Sequence, residues 1–240
     1  MTKTDASEFS LETLSEAVHY NEFVHDLMRP YLGQRVLELG AGIGNLTPLF
    51  LGGGTSVLAI DIDPNLVQIH HERVGEHPGL AVECTSLQDL SLRPHLQGTF
   101  DSIVSSNVLE HIPDGTVEEV VRAMRILLKP GGYAVHWVPA FPALFGSLDE
   151  VFHHCRRYTK ASARILFESA GFEVASVSYW NMPGFFGWWL YGRVLRVKTI
   201  PRNSALTFDR YILPVVRFLE SRIPKPFGQS LLIVARKSPT

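Results

Sequence analysis

Apolar and polar positions alternate at two different periods along this chain. Between residues 35 and 138, short runs rich in Val, Ile and Leu punctuate longer stretches in which apolar residues return every three or four positions. The runs Arg35–Leu39, Ser56–Ile60, Leu80–Glu83, Phe100–Ser105 and Tyr133–Val138 predict strands buried on both faces. The clearest helix is Thr116–Leu128, where Val117, Val120, Val121, Met124 and Leu127 share one stripe. Thr116 and Glu119 there have capping-box spacing, and Lys129-Pro130-Gly131-Gly132 supplies the stop. Repetition of strand, turn and helix predicts an α/β fold, a mostly parallel sheet with helices on both faces.

Beyond residue 138 the pattern changes. Thr159 can cap a helix that runs to Glu168 and ends at Gly171; Phe172–Tyr179 then reads as a sixth strand and Leu231–Ala235 as a seventh. About fifty residues separate these two strands, far more than a loop, and they carry two amphipathic segments, Gly184–Val197 and Ala205–Arg222. Ahead of the sheet, Leu11–Leu32 predicts one helix. With 240 residues and neither a repeat nor a low-complexity linker, the expectation is one domain. It divides into a helical cap over 1–34, a core over 35–180 and 229–240, and a helical insertion over 181–228.

The first strand leads into VLELGAGIGNLT, whose Gly40, Gly42 and Gly44 let a ligand approach the backbone unhindered by Cβ atoms. A dinucleotide loop would read GxGxxG, but Asn45 stands where its third glycine belongs. Glu38, two residues before Gly40, repels a pyrophosphate and suits a ligand with an ammonium group. Asp61, closing the second strand in VLAIDIDP, can accept both hydroxyls of an unphosphorylated ribose. S-adenosylmethionine meets all three constraints. Asp63, before Pro64, reads as a helix cap.

ELGAGIGN, the acid of AIDIDP, NVLEHIPD and the LKPGG turn occur in the order and spacing of the class I S-adenosylmethionine-dependent methyltransferases, which this sequence resembles. The resemblance implies a Rossmann-like sheet of seven mostly parallel strands with a helical insertion between the last two. It carries Glu38, Gly40, Ala41, Gly42 and Gly44 onto the methionine-binding loop, and Asp61 with Ile62 onto the ribose and adenine edge. Asn107 falls near the methionine moiety, after strand four. The adenine-contacting acid of many relatives falls at Ser86, with the Leu87 N–H beside it. Tyr20 and Asn21 match a Tyr-Asn pair in the helix that closes over the cofactor in such enzymes.

A sulfonium methyl is already activated, so such an enzyme holds a nucleophile in line and, for a hydroxyl or protonated amine, removes a proton. No metal is required. Ligands of open α/β sheets sit beyond the carboxyl ends of the strands. His111, directly after strand four, is the first candidate base there; as a plainer reading it caps or packs beside Ile112-Pro113. After strand five, Asp149, His154, Arg156, Arg157 and Tyr158 match bacterial methyltransferases with a D-x-x-x-G-H-Y-R-R-Y run, in which His153 here replaces the glycine and Cys155 the first tyrosine. His111, His154, Arg157 and Tyr158 are the candidate catalytic residues, and the arginine pair could hold an acidic acceptor bidentately. A solvated, charged helix start would look similar. The insertion begins and ends at the same edge of the sheet and is a candidate lid. Its Phe185, Phe186, Trp188, Trp189 and Tyr191 would wall an acceptor pocket, pack together or, with Arg193, Arg196 and Lys198, lie on a membrane surface.

Composition narrows the partners. A net charge of −2, from 22 basic and 24 acidic residues, provides no field for nucleic acid. The polar start MTKTDASEFS lacks the apolar segment of a secretory signal, and the apolar run Gly184–Leu195 is well short of the ~20 residues that span a bilayer. Cys84 and Cys155 have neither CxxC nor histidine spacing, against a disulfide framework or a structural zinc site. The expectation is a cytoplasmic methyltransferase acting on a small-molecule acceptor, at oxygen first. Nitrogen, or a lipid- or sugar-linked acceptor, is the alternative within this class. A nicotinamide-dependent oxidoreductase and a non-catalytic nucleoside-binding partner protein are the readings from other classes.

Overall fold

The computed structural model describes residues 12–239, so the polar start of the chain, with Leu11, lies outside the described residues. The first half runs α1 (Val18–Met28), β1 (Arg35–Leu39), α2 (Thr47–Phe50), β2 (Ser56–Asp61), α3 (Pro64–Val74), β3 (Leu80–Cys84), α4 (Leu87–Ser91), β4 (Phe100–Ser106) and α5 (Thr116–Leu127). There follow β5 (Leu128–Pro139), α6 (Ser147–Val151), α7 (Lys160–Ser169), β6 (Phe172–Trp180), α8 (Met182–Trp188), α9 (Arg202–Thr207), α10 (Leu213–Glu220) and β7 (Ser230–Lys237). Wider π-helical turns, Trp189–Val194 and Phe208–Ile212, extend α8 and join α9 to α10.

The strands form one seven-stranded sheet in the order β3-β2-β1-β4-β5-β7-β6. All pairs are parallel except those of β7, which runs antiparallel between β5 and β6. One face is covered by α4, α5 and α7, through Leu87, Leu90, Val121, Met124 and Phe167. The other is covered by α1, α2 and α10, through Phe23, Val24, Met28, Phe50, Leu213 and Val216 around Trp137. The chain reverses direction across the sheet between β1 and β4, so the loops leaving their carboxyl ends flank one crevice.

The predicted strands stand, with ends moved by a residue or two, except that β5 begins at Leu128. Residues 129–132, expected only as a stop, also form a bulge between Leu128, paired with Phe100, and Tyr133, paired with Ser102. Gly131 supplies the φ of 81° that this requires. The capping box expected at Thr116 is not formed. Gly115 enters the helix with φ 82°, and Thr116 is already its first helical residue, with no side-chain cap. Thr159 and Asp63 do cap, accepting the N–H groups of Ser162 (3.0 Å) and Asn65 (2.9 Å).

The single helix expected over Leu11–Leu32 is interrupted. A helical turn over 12–16 stops at Ala17, α1 starts at Val18, and a 3-10 turn containing Pro30 ends the segment at Tyr31. Ala17 offers no side-chain acceptor to the new helix start. Asp209, almost 190 positions away in the insertion, provides it: its carboxylate accepts the N–H groups of His19 (3.3 Å) and Tyr20 (2.7 Å). The insertion is therefore not simply a lid. Its α10 belongs to the core layer, and the buried Glu220 at the end of α10 accepts the N–H groups of Asn181 (2.7 Å) and Met182 (2.6 Å), joining that end to the start of α8.

Asp209→Ala removes the cap of α1. The expected cost is about 1–2 kcal/mol, which lowers the Tm of a domain of this size by roughly 2–8 °C in thermal unfolding. An unchanged Tm would show that α1 is held by its apolar face alone.

Candidate functional site

The loop after β1 shapes one wall of the crevice. Gly40, Gly42 and Gly44 take φ values of 65°, 55° and 80°, open to glycine at little cost. A Cβ on Gly40 would lie 2.6 Å from the Val108 side chain, and one on Gly44 would lie 2.5 Å from that of Val74, so neighbouring elements press on the loop from both sides. The Ala41 N–H donates to the Ile60 carbonyl (3.0 Å). At the end of β2, the Asp61 carboxylate accepts the N–H groups of Gly42 (2.9 Å) and Asp63 (3.0 Å), tying the two loops together. Each oxygen keeps a further acceptor position. Beside it Ile62 is 76% exposed, an apolar shelf on an otherwise polar edge.

Glu38 lies beneath the loop, 4% exposed, and accepts the Thr47 hydroxyl (2.6 Å). Burial outweighs that bond, and with the Asp61 charge pushes the carboxyl up to about 8. Burial likewise raises Asp61. Two acids raised by burial, one beneath the glycine loop and one tied to it, are matched to a cationic ligand.

At the β3 edge, Ser86 behaves as a helix cap. Its hydroxyl accepts the Asp89 N–H (3.1 Å) and donates to the Asp89 carboxylate (2.7 Å), while the Leu87 side chain is buried. Asp89 thus brings to this edge the acid that motif alignment does not place at Ser86. After β4, Asn107 is held at φ 54°; its N–H donates to the Trp137 carbonyl (2.8 Å) and its amide to the Tyr20 hydroxyl (3.4 Å). The same hydroxyl accepts Trp137 Nε1 (2.8 Å), so α1, β4 and β5 meet at Tyr20. Asn21 is turned away, its amide donating to the Leu14 carbonyl (2.8 Å).

The other wall is built around a fully buried carboxylate. Asp149 accepts Arg157 Nη1 (2.8 Å) and His154 Nδ1 (2.8 Å) on one oxygen, and the Gly146 N–H (3.0 Å) and Trp188 Nε1 (3.0 Å) on the other. Burial opposes its ionisation, but these donors outweigh burial and hold its pKa below the ordinary carboxylate value. An ionised Asp149 can only accept, which places a proton on His154 Nδ1 and makes Nε2 the acceptor in the neutral ring. The His154 and His111 rings stand edge to face, 4.9 Å apart. Burial, with His154 beside it, pushes His111 down to about 4, although part of the residue is open to water. Behind them Glu110 is fully buried, neither carboxylate oxygen has a hydrogen-bond partner, and burial raises it to about 7. Potential ligand atoms of Glu110, His111 and His154 lie within 4.8 Å of one another, a set suited to relaying a proton or to holding a cation.

The anion clamp expected from the arginine pair is not formed. The Arg157 side chain is buried and spends its donors on Asp149, on the Ala140 carbonyl (2.7 Å) and on the Gln229 carbonyl (3.2 Å). Arg156 pairs with Asp114 (2.7 Å). The Tyr158 hydroxyl donates to the Leu109 carbonyl (3.1 Å), so the polar atoms of Arg157 and Tyr158, both expected as catalytic, are engaged within the protein. The aromatic wall is only partly assembled. Phe185 packs on Phe141 and Phe227, and Trp188 on Phe152 and under the Arg157 guanidinium, whereas Phe186 and Trp189 are exposed. Two roles had little signal in the sequence: Asp149 is the centre of the cluster and not one acid among several, and Trp188 donates to it from 39 positions away.

Comparison with known proteins bears on this geometry. A family model described as a methyltransferase domain matches residues 13–177. A ubiquinone biosynthesis O-methyltransferase of Xanthomonas axonopodis pv. citri is 37% identical over 114 residues, 46% of this chain and 45% of that protein. The matched region thus spans less than half the length of the curated relative. Among solved structures, a SAM-dependent methyltransferase from Archaeoglobus fulgidus aligns with TM-score 0.60 at 19% identity, covering 90% of this chain and 94% of its own. A phosphoethanolamine N-methyltransferase of Haemonchus contortus in complex with S-adenosyl-L-methionine aligns with TM-score 0.62 at 17% identity, covering 92% of this chain and 53% of its own. At these identities the two structures speak for the fold.

His153 has φ 58°, the left-handed conformation that a glycine takes freely, and it stands where the resembled run has glycine. A histidine holds this left-handed turn at a conformational cost. His153→Gly should stabilise the protein by about 0.5–1 kcal/mol in denaturant unfolding, the relief of strain less the added freedom of the unfolded chain. A loss of stability would show that the His153 ring carries packing worth more than the strain.

Proposed function

This chain belongs to the methyltransferase-domain family and has the class I S-adenosylmethionine-dependent fold, and on that premise we propose that it methylates an oxygen of a small-molecule acceptor with His154 as the base. The cofactor, S-adenosylmethionine, supplies a methyl group already activated on a sulfonium. The residues present fit it. The loop turns through three glycines without Cβ atoms, Glu38 is a buried acid beneath it, and the exposed Ile62 flanks the Asp61 carboxylate. In this reading Gly40, Ala41, Gly42 and Gly44 carry the methionine end with Glu38 and Asn107, and Tyr20 closes over it. Asp61 takes the ribose hydroxyls, and Ile62, Ser86 and Leu87 border the adenine.

The observation that carries the acceptor chemistry is the Asp149–His154 pair at the same edge of the sheet. Oriented by Asp149, His154 presents Nε2 to accept a hydroxyl proton, and the ionised Asp149 stabilises the imidazolium that forms. His111, pushed toward its neutral form, faces the acceptor beside it. Arg157 and Tyr158 act by holding this arrangement. The O-methyltransferase name of the Xanthomonas relative supports oxygen as the acceptor atom. Among the described residues no helix is long and apolar enough to cross a membrane. The free, exposed Cys84 and Cys155 fit a reducing compartment, and we place the enzyme in the cytoplasm.

Two single changes separate the roles. Asp61→Ala should weaken S-adenosylhomocysteine binding by about 1–3 kcal/mol. His154→Ala should leave that affinity intact and lower turnover of hydroxylated acceptors by roughly 10²–10⁴-fold, with a chelator having no effect on the unmodified enzyme. Unchanged turnover in His154→Ala would remove the base, and loss of activity with the chelator would assign Glu110, His111 and His154 to a cation instead.

A further inference from the structure

The apolar surface of this protein is unevenly distributed. Among the described residues, eleven of the sixteen exposed large apolar side chains lie between 181 and 228, one fifth of the chain. They form stripes at helical spacing. Phe186, Trp189, Leu190 and Val194 follow one another along α8 and its extension, and Tyr211, Ile212, Val215, Phe218 and Leu219 along α10 and the turn before it. The opposite sides of these helices are already used: Leu213 and Val216 lie in the core, and Gly192 is buried. Phe218 is 59% exposed and Val215 55%, so the outer stripe of α10 is a second apolar face with nothing of this chain upon it.

Charge in the same segment is as uneven. Residues 181–228 hold eight Lys and Arg against two acids, a net +6, which leaves −8 for the remaining chain to reach the overall −2. Both acids point inward: Asp209 caps α1, and Glu220 is bound to the start of α8. No acid of the segment faces outward; of its eight cations, Arg202 and Arg217 pair with Glu16 and Asp26 of the helical segment ahead of the sheet, and among the described residues the others meet no acid from outside the segment. Arg222 lies over the Phe218 ring at 3.8 Å and Arg210 over Tyr211 at 5.5 Å, cations seated against the exposed aromatic rings. Arg196 and Lys198 have no partner among the described residues.

We infer that the insertion docks in the plane of an anionic membrane surface, its aromatic and aliphatic stripes entering the headgroup layer and its basic residues meeting lipid phosphates. Charge complementarity selects this occupant. A second copy meeting the face isologously would set positive charge against positive charge. The insertion leaves the sheet at the end of β6 and returns at the start of β7, the edge on which the glycine loop and the Asp149 cluster lie, so docking brings that edge to the lipid headgroups. The inference stands apart from the proposed methyl transfer, since vesicle binding reads the surface and S-adenosylhomocysteine binding reads the site.

The test is flotation of the whole protein with vesicles of phosphatidylcholine alone and of phosphatidylcholine mixed with phosphatidylglycerol, at low and raised salt. The protein should float with the anionic vesicles, less so as salt rises. Val215→Ser with Phe218→Ser, and separately Lys198→Glu with Arg210→Glu, should each lower partitioning roughly tenfold or more while leaving S-adenosylhomocysteine binding and Tm unchanged. Failure to float with anionic vesicles would overturn the inference, as would equal binding to both vesicle types without response to the charge changes. A solution dimer dissolved by the Val215 and Phe218 changes would also overturn it, assigning the face to a second copy.

Discussion

Asp149 is a carboxylate without access to water, and the acceptor side of this molecule is arranged to make that tolerable. Its four donors come from separate places: the Gly146 N–H at the start of α6, His154 and Arg157 beyond it, and Trp188 in the insertion. A buried charge left with fewer partners would cost several kcal/mol, so these three segments are bound to one geometry. Arg157 extends the constraint to the end of β5 and the start of β7 through the carbonyls of Ala140 and Gln229. Tyr158 extends it to the loop after β4 through the Leu109 carbonyl. His154 inherits its tautomer from this arrangement, and Glu110 and His111 inherit their positions.

Two other buried carboxyls, one on each wall, follow the opposite logic. Where Asp149 is oversupplied with donors, Glu38 has one, from Thr47, and Glu110 has none. Both carboxyls are raised, to about 8 and about 7, so at neutral pH Glu38 largely keeps, and Glu110 in part keeps, the proton that an ordinary glutamate releases. For such groups the folded state binds the proton more tightly than the unfolded chain, whose glutamates titrate near 4.3. Their contribution to stability is therefore full in acid and fades as pH rises toward 7 and 8. A cation entering beneath the glycine loop reverses that balance at Glu38.

Much of this was legible in the sequence because it rests on local chemistry. The strands were visible as short apolar runs, the glycine loop by its spacing, and Asp61 by its place at a strand end. What escaped were contacts that bring distant segments together. Nothing near Ala17 announces that Asp209 will cap α1, and nothing near Trp188 announces Asp149. Arg156 and Arg157 suggested an anion site because paired guanidiniums look alike in sequence whether they face a ligand or a buried acid; burial decided for the acid at Arg157. Thr116 had the spacing of a cap but not the position, since Gly115 turns the chain one residue earlier. The amphipathic insertion was visible as two helices, but a stripe pattern does not say which stripe meets the core, and here both sides of α10 are apolar.

The proposed cofactor site centres on a loop that would hold a cationic nucleoside ligand over a protonated Glu38. The most direct test is calorimetric titration with S-adenosylhomocysteine at pH 7 in two buffers of different ionisation heat. Micromolar binding accompanied by proton release to the buffer is the predicted result, because the ligand's ammonium lowers the Glu38 pKa as it enters. Absence of binding, or binding with no proton exchanged, would contradict it.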